Sequence, residues 1–144
     1  MKIIGKNPIT GLDYPDPDVI RVDDTYYMVS TTMHFVPGCE ILRSYDLVHW
    51  EHLSYVYERL DSTEEQRLVG EKNCYGKGMW AASLRYHKGM YYICFVANDT
   101  GKTYLYTADN IEGPWEKRII EGFYHDCSLL FEAVSYTHLT LPTN

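Results

Sequence analysis

Asn7–Tyr27 reads NPITGLDYPDPDVIRVDDTYY: an aspartate clamped between prolines, then apolar residues leading to a tyrosine pair. Asp16 lies between Pro15 and Pro17, just ahead of Val19, Ile20 and Val22, and Tyr26-Tyr27-Met28-Val29 follows. Prolines fix φ and carry no N–H for a sheet ladder, so this approach is expected to be extended but unpaired, with paired strands beginning after it. A carboxylate held at the mouth of a strand is one way to present a general base. Pro-Asp-Pro is equally good turn chemistry, so the motif alone leaves both readings open.

Working outward, the chain repeats itself. Tyr26-Tyr27 recurs as Tyr91-Tyr92 (91 − 26 = 65) and Trp50-Glu51 as Trp115-Glu116 (115 − 50 = 65). At the same offset Asp18-Val19 falls on Ser83-Leu84 and Asp24 on Gly89, each before a strand-like pattern. Each copy is expected to hold a short strand, a turn, a Tyr-Tyr strand, a third strand (Cys39–Arg43; Thr103–Thr107) and a Trp-bearing fourth. Regular four-stranded antiparallel units with aromatic anchors point to an all-β propeller; an ordinary antiparallel sandwich is the alternative. A third unit begins at Asp126, where Asp126-Cys127-Ser128-Leu129-Leu130 matches Asp16-Pro17-Asp18-Val19-Ile20. Between units, Glu58–Val69 is expected to be a short helical or irregular excursion, because Asp61-Ser62-Thr63-Glu64 carries a helix-capping signal.

Composition narrows the function classes. The 144 residues carry a net charge of −7 and no basic run, which excludes nucleic acid and anionic membranes as expected partners. No apolar run approaches a membrane span, and MKIIGKNPITG lacks the apolar core and cleavage site of a signal peptide, so a cytoplasmic location is expected. Cys39, Cys74, Cys94 and Cys127 form no CxxC pair and have no histidine at ligand spacing, so buried thiols are expected, with no metal site and no cofactor. Aromatics are 15% of the chain, with 14 Tyr against 4 Phe. That bias suits strands with polar edges and sugar-facing surfaces, although most of these tyrosines are expected to be structural.

The NPITGLDYPDPD opening, STTMHFVPGCEILRSYDLVHWEHL (Ser30–Leu53), GMWAASLRYHKGMYYICF (Gly78–Phe95) and GFYHDCSLLF (Gly122–Phe131) together resemble glycoside hydrolase family 43, the β-xylosidases and α-L-arabinofuranosidases. The resemblance implies a five-bladed propeller, of which about two blades and the first strand of a third lie here, spanning residues 1–132. It implies an inverting, exo-acting hydrolase that removes terminal xylosyl or arabinofuranosyl units from plant-derived oligosaccharides by three acids. The general base falls on Asp16 and the second acid, which tunes pKa and orients, on Asp126. The general acid would come from a fourth blade, beyond Phe131, and Glu132 is expected to be a solvated turn residue rather than a substitute. Asp18 stands where the family more often has serine.

The same resemblance places His34 and Phe35 at a sugar-binding wall and Trp80 near the sugar, with core packing the alternative for Phe35 and Trp80. His125 either hydrogen-bonds the sugar or packs. Arg43 and Arg85 are expected to make surface salt bridges. An endo-arabinanase or galactosidase of the same superfamily is a second enzyme reading. A non-catalytic sugar-binding propeller is a third, which the presence of both Asp16 and Asp126 disfavours, since a lectin needs no base.

Val134–Thr143, VSYTHLTLPT, breaks every preceding pattern. It matches one reading frame of a transposon-type sequencing adapter, and Ala133 and Asn144 satisfy the codon constraints on either side. Residues 133–144 are therefore expected to be translated adapter rather than native protein, the alternative being a genuine edge strand, which Tyr-Thr-His-Leu-Thr suits on propensity.

Overall fold

The computed structural model describes residues 5–131 and, as backbone, 137–140. Glu132 and most of the segment assigned above to an adapter lie outside the described residues. Strands β1 (Asp18–Val22), β2 (Thr25–Val29), β3 (Gly38–Ser44) and β4 (Glu51–Tyr57) form one antiparallel sheet in sequential order. Strands β5 (Ser83–His87), β6 (Met90–Ala97), β7 (Lys102–Ala108) and β8 (Glu116–Ile120) form a second sheet of the same order. Strand β9 (Ser128–Phe131) opens a third unit and pairs with β10 (Thr137–Thr140). No helix interrupts this plan among the described residues, so none there is long and apolar enough to cross a membrane.

The repeat read from sequence is the blade repeat. β5 starts 65 residues after β1 (83 − 18), β6 the same distance after β2 (90 − 25), and β8 after β4 (116 − 51). Lone strands cannot hide both faces, and meandering four-stranded units solve this by stacking face to face. One detail differs from expectation. Trp50 and Trp115 stand immediately ahead of β4 and β8, where each strand emerges from its turn, rather than within them.

The two blades share one core. Val29 and Ile41 of the first pack with Leu84, Ile93 and Phe95 of the second, all fully buried. Tyrosines stitch this interface: Tyr57 lies against Phe95 and Tyr106 at 5.9 and 6.1 Å, and Tyr27 meets Tyr91 edge-on at 5.9 Å. Their burial raises the Tyr91 phenol to about 12 and drives Tyr57 and Tyr106 higher still, so they remain neutral packing groups. Tyr27, Tyr57, Tyr91 and Tyr106 are therefore structural.

The excursion after β4 is irregular. Thr63 caps a single turn, its Oγ1 accepting from the Gln66 N–H (3.2 Å) and its carbonyl from the Arg67 N–H (3.0 Å). Positive φ at Ser62 (52°) and Leu68 (56°) stops the turn from propagating into a helix. Asp61 fastens the excursion to the second blade by accepting from Lys102 (2.7 Å), Tyr104 (2.9 Å) and Lys117 (2.9 Å). All four cysteines are buried thiols, and Cys94 Sγ lies 3.3 Å from Cys127 Sγ.

Candidate active site at the starts of the innermost strands

The first strand of each unit is the innermost one. β1 lies beside β5, and β5 beside β9. The residues two positions ahead of these strands are Asp16, Ala81 and Asp126. The flanking prolines led to an expectation of extended backbone at Asp16, but its φ is 50°, in the left-handed region, and φ at Asp126 is 51°. The physical reason lies in the neighbours. The Pro15 carbonyl accepts from both the Ser30 hydroxyl (2.5 Å) and the Thr31 N–H (3.0 Å), which pulls the chain toward the end of β2 and forces a reversal before β1 can start. Aspartate tolerates that conformation better than most residues. The Thr31 hydroxyl then donates to Asp16 Oδ2 at 2.9 Å, fixing an exposed carboxylate. Asp126 is also exposed, and its Oδ2 lies 3.1 Å from His125 Nδ1.

His125 also meets the Trp80 ring edge-on at 5.4 Å, so Trp80, His125 and Asp126 form one cluster across the second and third units. Trp80 is anchored through its backbone N–H to the Val96 carbonyl (3.0 Å), and the residue is only half-buried. A second cluster stands on the first blade. His34 stacks on Phe35 at 4.4 Å and meets Tyr75 at 4.7 Å. Phe35 is 66% exposed and Tyr75 80%, so Phe35 is not a core residue. Phe35 lines a groove of about 430 Å³ with Pro15, Ser30 and Thr31, the residues that hold the Asp16 turn. The two clusters are tied by reciprocal backbone hydrogen bonds between Met33 and Met79, each 3.0 Å, which set His34 and Trp80 one residue beyond a shared bridge.

Asp126 lines a separate hollow of about 240 Å³ with Asp18, Ser83, Arg85 and Ser128. Asp16 is not in its lining and stands two residues before Asp18, on the turn that leads into β1. Arg43 pairs with Glu51 at 2.7 Å, an exposed ion pair as expected. Arg85 departs from that expectation, because it reaches Asp18 and Ser128 on two other innermost strands. Tyr75 and Thr31 were missed in the sequence. Tyr75 sits in an excursion with no repeat partner, and Thr31 reads as an ordinary residue after a strand. Among the described residues no three His, Cys, Asp or Glu side chains converge as metal ligands.

Fold and geometry thus define a partial β-propeller whose repeat places an exposed acid ahead of two innermost strands, with exposed aromatic rings in neighbouring loops. The chain belongs to the glycosyl hydrolases family 43, whose family model matches residues 5–138. It is 39% identical to a β-xylosidase of Formosa agariphila over 79% of this chain and 19% of that protein. It is 37% identical to a non-reducing end α-L-arabinofuranosidase of Bacteroides ovatus over 88% of this chain and 24% of that one. A bifunctional GH43-CE protein of Bacteroides eggerthii superposes with a TM-score of 0.89 at 44% identity, covering 95% of this chain and 19% of that structure. The chain therefore spans between 19% and 24% of the length of these relatives.

Proposed function

We propose that this chain is the N-terminal part of an inverting, exo-acting glycosidase that releases terminal β-xylosyl or α-L-arabinofuranosyl units from oligosaccharides. In this reading Asp16 is the general base that activates water, and Asp126 orients the sugar and tunes its partner acids. Phe35, His34 and Trp80 wall the sugar, His125 holds Asp126, and a general acid is supplied from beyond Phe131. The supporting observation is the equivalence of Asp16 and Asp126. Each stands two residues before an innermost strand, exposed, with φ near 50° (50° and 51°), so the repeat presents two carboxylates in the same manner from different blades. Inversion needs the general base, here Asp16, and the general acid from beyond Phe131 on opposite sides of the sugar, roughly 6.5–9.5 Å apart, with a water between base and anomeric carbon. Relatives named for xylosidase and arabinofuranosidase activity support the substrate class.

The test is hydrolysis of an aryl β-xyloside and an aryl α-L-arabinofuranoside by the full-length gene product, with the first-formed anomer read by NMR. Release of the inverted sugar is expected. A retained anomer, or sugar binding with no turnover at all, would overturn the reading.

A further inference from the structure

We propose that Arg85 is a positioning residue that sets the spacing between Asp16 and Asp126; the proposal rests on the acid roles given above. The Arg85 guanidinium joins three innermost strands. Nη1 donates to Asp18 Oδ2 at 2.7 Å and to the carbonyl of Leu84 at 2.6 Å, and Nη2 donates to Ser128 Oγ at 2.6 Å. Around this fork the Leu84 N–H donates to Asp18 Oδ2 (2.9 Å), and the Ser83 and Ser128 hydroxyls lie 3.2 Å apart. Asp18 opens β1, Arg85 is the third residue of β5, and Ser128 opens β9.

The two ends of the fork matter because of what precedes them. Asp18 follows Asp16 by two residues, and the residue between is Pro17, whose φ is fixed by its ring. Ser128 follows Asp126 by two residues, and the residue between is Cys127, buried against Cys94. Neither linker has slack, so where Arg85 holds Asp18 and Ser128, it also holds the two turns that carry the acids. Only a planar fork can donate to two acceptors in fixed directions; an ammonium is a single point of charge. The side chains of Arg85 and Asp18 are 34% and 30% exposed, and both line the hollow that holds Asp126, so the clamp is partly buried beside that acid. The carboxylate at position 18 strengthens one arm of the clamp with a charge.

The experiment uses the full-length gene product with Arg85→Lys, Arg85→Met and the double variant Arg85→Met/Asp18→Ser. Misplacing a reacting group by about 1 Å can cost on the order of a hundredfold in rate. Both single variants are expected to lose about tenfold or more in kcat with KM held within about twofold. The double variant, which removes the unpaired carboxylate, is expected to stay equally slow. Full kcat in Arg85→Lys, or recovery in the double variant, would overturn the proposal, since either would mean that Arg85 merely neutralises Asp18. A second readout does not need activity: crystal structures of the parent and Arg85→Lys. A change of about 1 Å or more in the separation of the Asp16 and Asp126 carboxylates supports the proposal, and a separation unchanged within about 0.5 Å overturns it. An inactive parent protein sinks the glycosidase reading, while this distance still decides the role of Arg85.

Discussion

Asp16 is held at φ 50° directly before a proline, in a conformation that most L-residues resist and that the following ring crowds further. Asparagine is among the few residues that share aspartate's tolerance of it, which makes Asp16→Asn an unusually clean substitution here. In the full-length protein it should lower kcat by about 10²–10⁴-fold, because the amide still accepts the Thr31 hydrogen bond but takes no proton from water. The melting temperature should barely move, whereas Asp16→Ala should cost stability as well, through the left-handed backbone. Steady-state kinetics beside thermal melts check this, and more than a tenth of parental kcat in Asp16→Asn would remove Asp16 from the base role. Tyr75 invites a different substitution. The Gly76 N–H donates to His34 Nδ1 at 3.3 Å and Asn73 Oδ1 accepts from the Tyr75 N–H at 3.1 Å, so a tight turn presents the Tyr75 ring to solvent beside His34. An exposed ring continuing the Phe35–His34 stack suits a second sugar unit. Tyr75→Ala should raise KM for oligosaccharides about two- to tenfold while leaving KM for an aryl monosaccharide unchanged. Equal effects on both substrates would place Tyr75 outside the binding surface.

Gly78 belongs to the junction between the blades. Its φ is 93°, and a Cβ there would fall 2.1 Å from the Met33 carbonyl oxygen, the acceptor for the Met79 N–H. Gly78→Ala should break the bridge that sets His34 and Trp80 together, costing on the order of 2–4 kcal/mol. Gly89→Ala is the control, since its φ is 82° but nothing lies within 4 Å of the added carbon, so only the backbone penalty of roughly 1 kcal/mol applies. Equal melting temperatures for the two variants would dismiss the bridge as a determinant of stability. Asp61 gives the excursion a pH dependence. Burial opposes its ionisation, but hydrogen bonds from Lys102, Lys117 and Tyr104 outweigh that and lower its carboxyl from 3.8 to about 2. A depressed native pKa contributes stability above the unfolded value, near 4, and that contribution is lost as pH falls toward 2. With both lysines partly exposed it is on the order of 1 kcal/mol. Asp61→Asn should therefore flatten the urea midpoint between pH 4 and pH 2, and an unchanged slope there would discount the anchor. The strands themselves were legible in the chain because the blade repeat preserves spacing, so Tyr26-Tyr27 and Tyr91-Tyr92 mark the same strand twice. The excursion was not, since its capping signal at Thr63 is real but two left-handed residues cut the turn short. The same limit hid the geometry at Asp16: proline constrains its own φ, and only the tertiary pull of Ser30 and Thr31 on the Pro15 carbonyl turns the residue beside it.

A propeller blade hides one face against the blade before it and the other against the blade after it, and ring closure is what leaves no flank bare. In this chain the first blade packs on the second, and the second on the opening strand of the third. On the first blade Phe35, Val36 and Tyr55 are 66%, 45% and 39% exposed, and on β9 Leu130 is 51% exposed. Phe35, Val36 and Tyr55 border the groove beside the Asp16 turn and Leu130 lies on the opening strand of the third unit, in a chain that spans 19% to 24% of the length of the relatives reported above. The chemistry is similarly divided in the proposed mechanism, since both described acids stand on the blades at hand while protonation of the leaving oxygen is assigned to a residue beyond Phe131. The 144-residue polypeptide on its own should therefore self-associate at micromolar concentration and release no detectable sugar from an aryl β-xyloside or an aryl α-L-arabinofuranoside. The full-length gene product should elute as a discrete species and turn both or one of them over. Size-exclusion chromatography with light scattering, run beside the two assays, separates the parts of this argument. A monodisperse 144-residue chain would show that its open flanks are tolerated, and turnover by that chain would show that a proton donor lies within it and that the assignment of the acid to a later blade is mistaken.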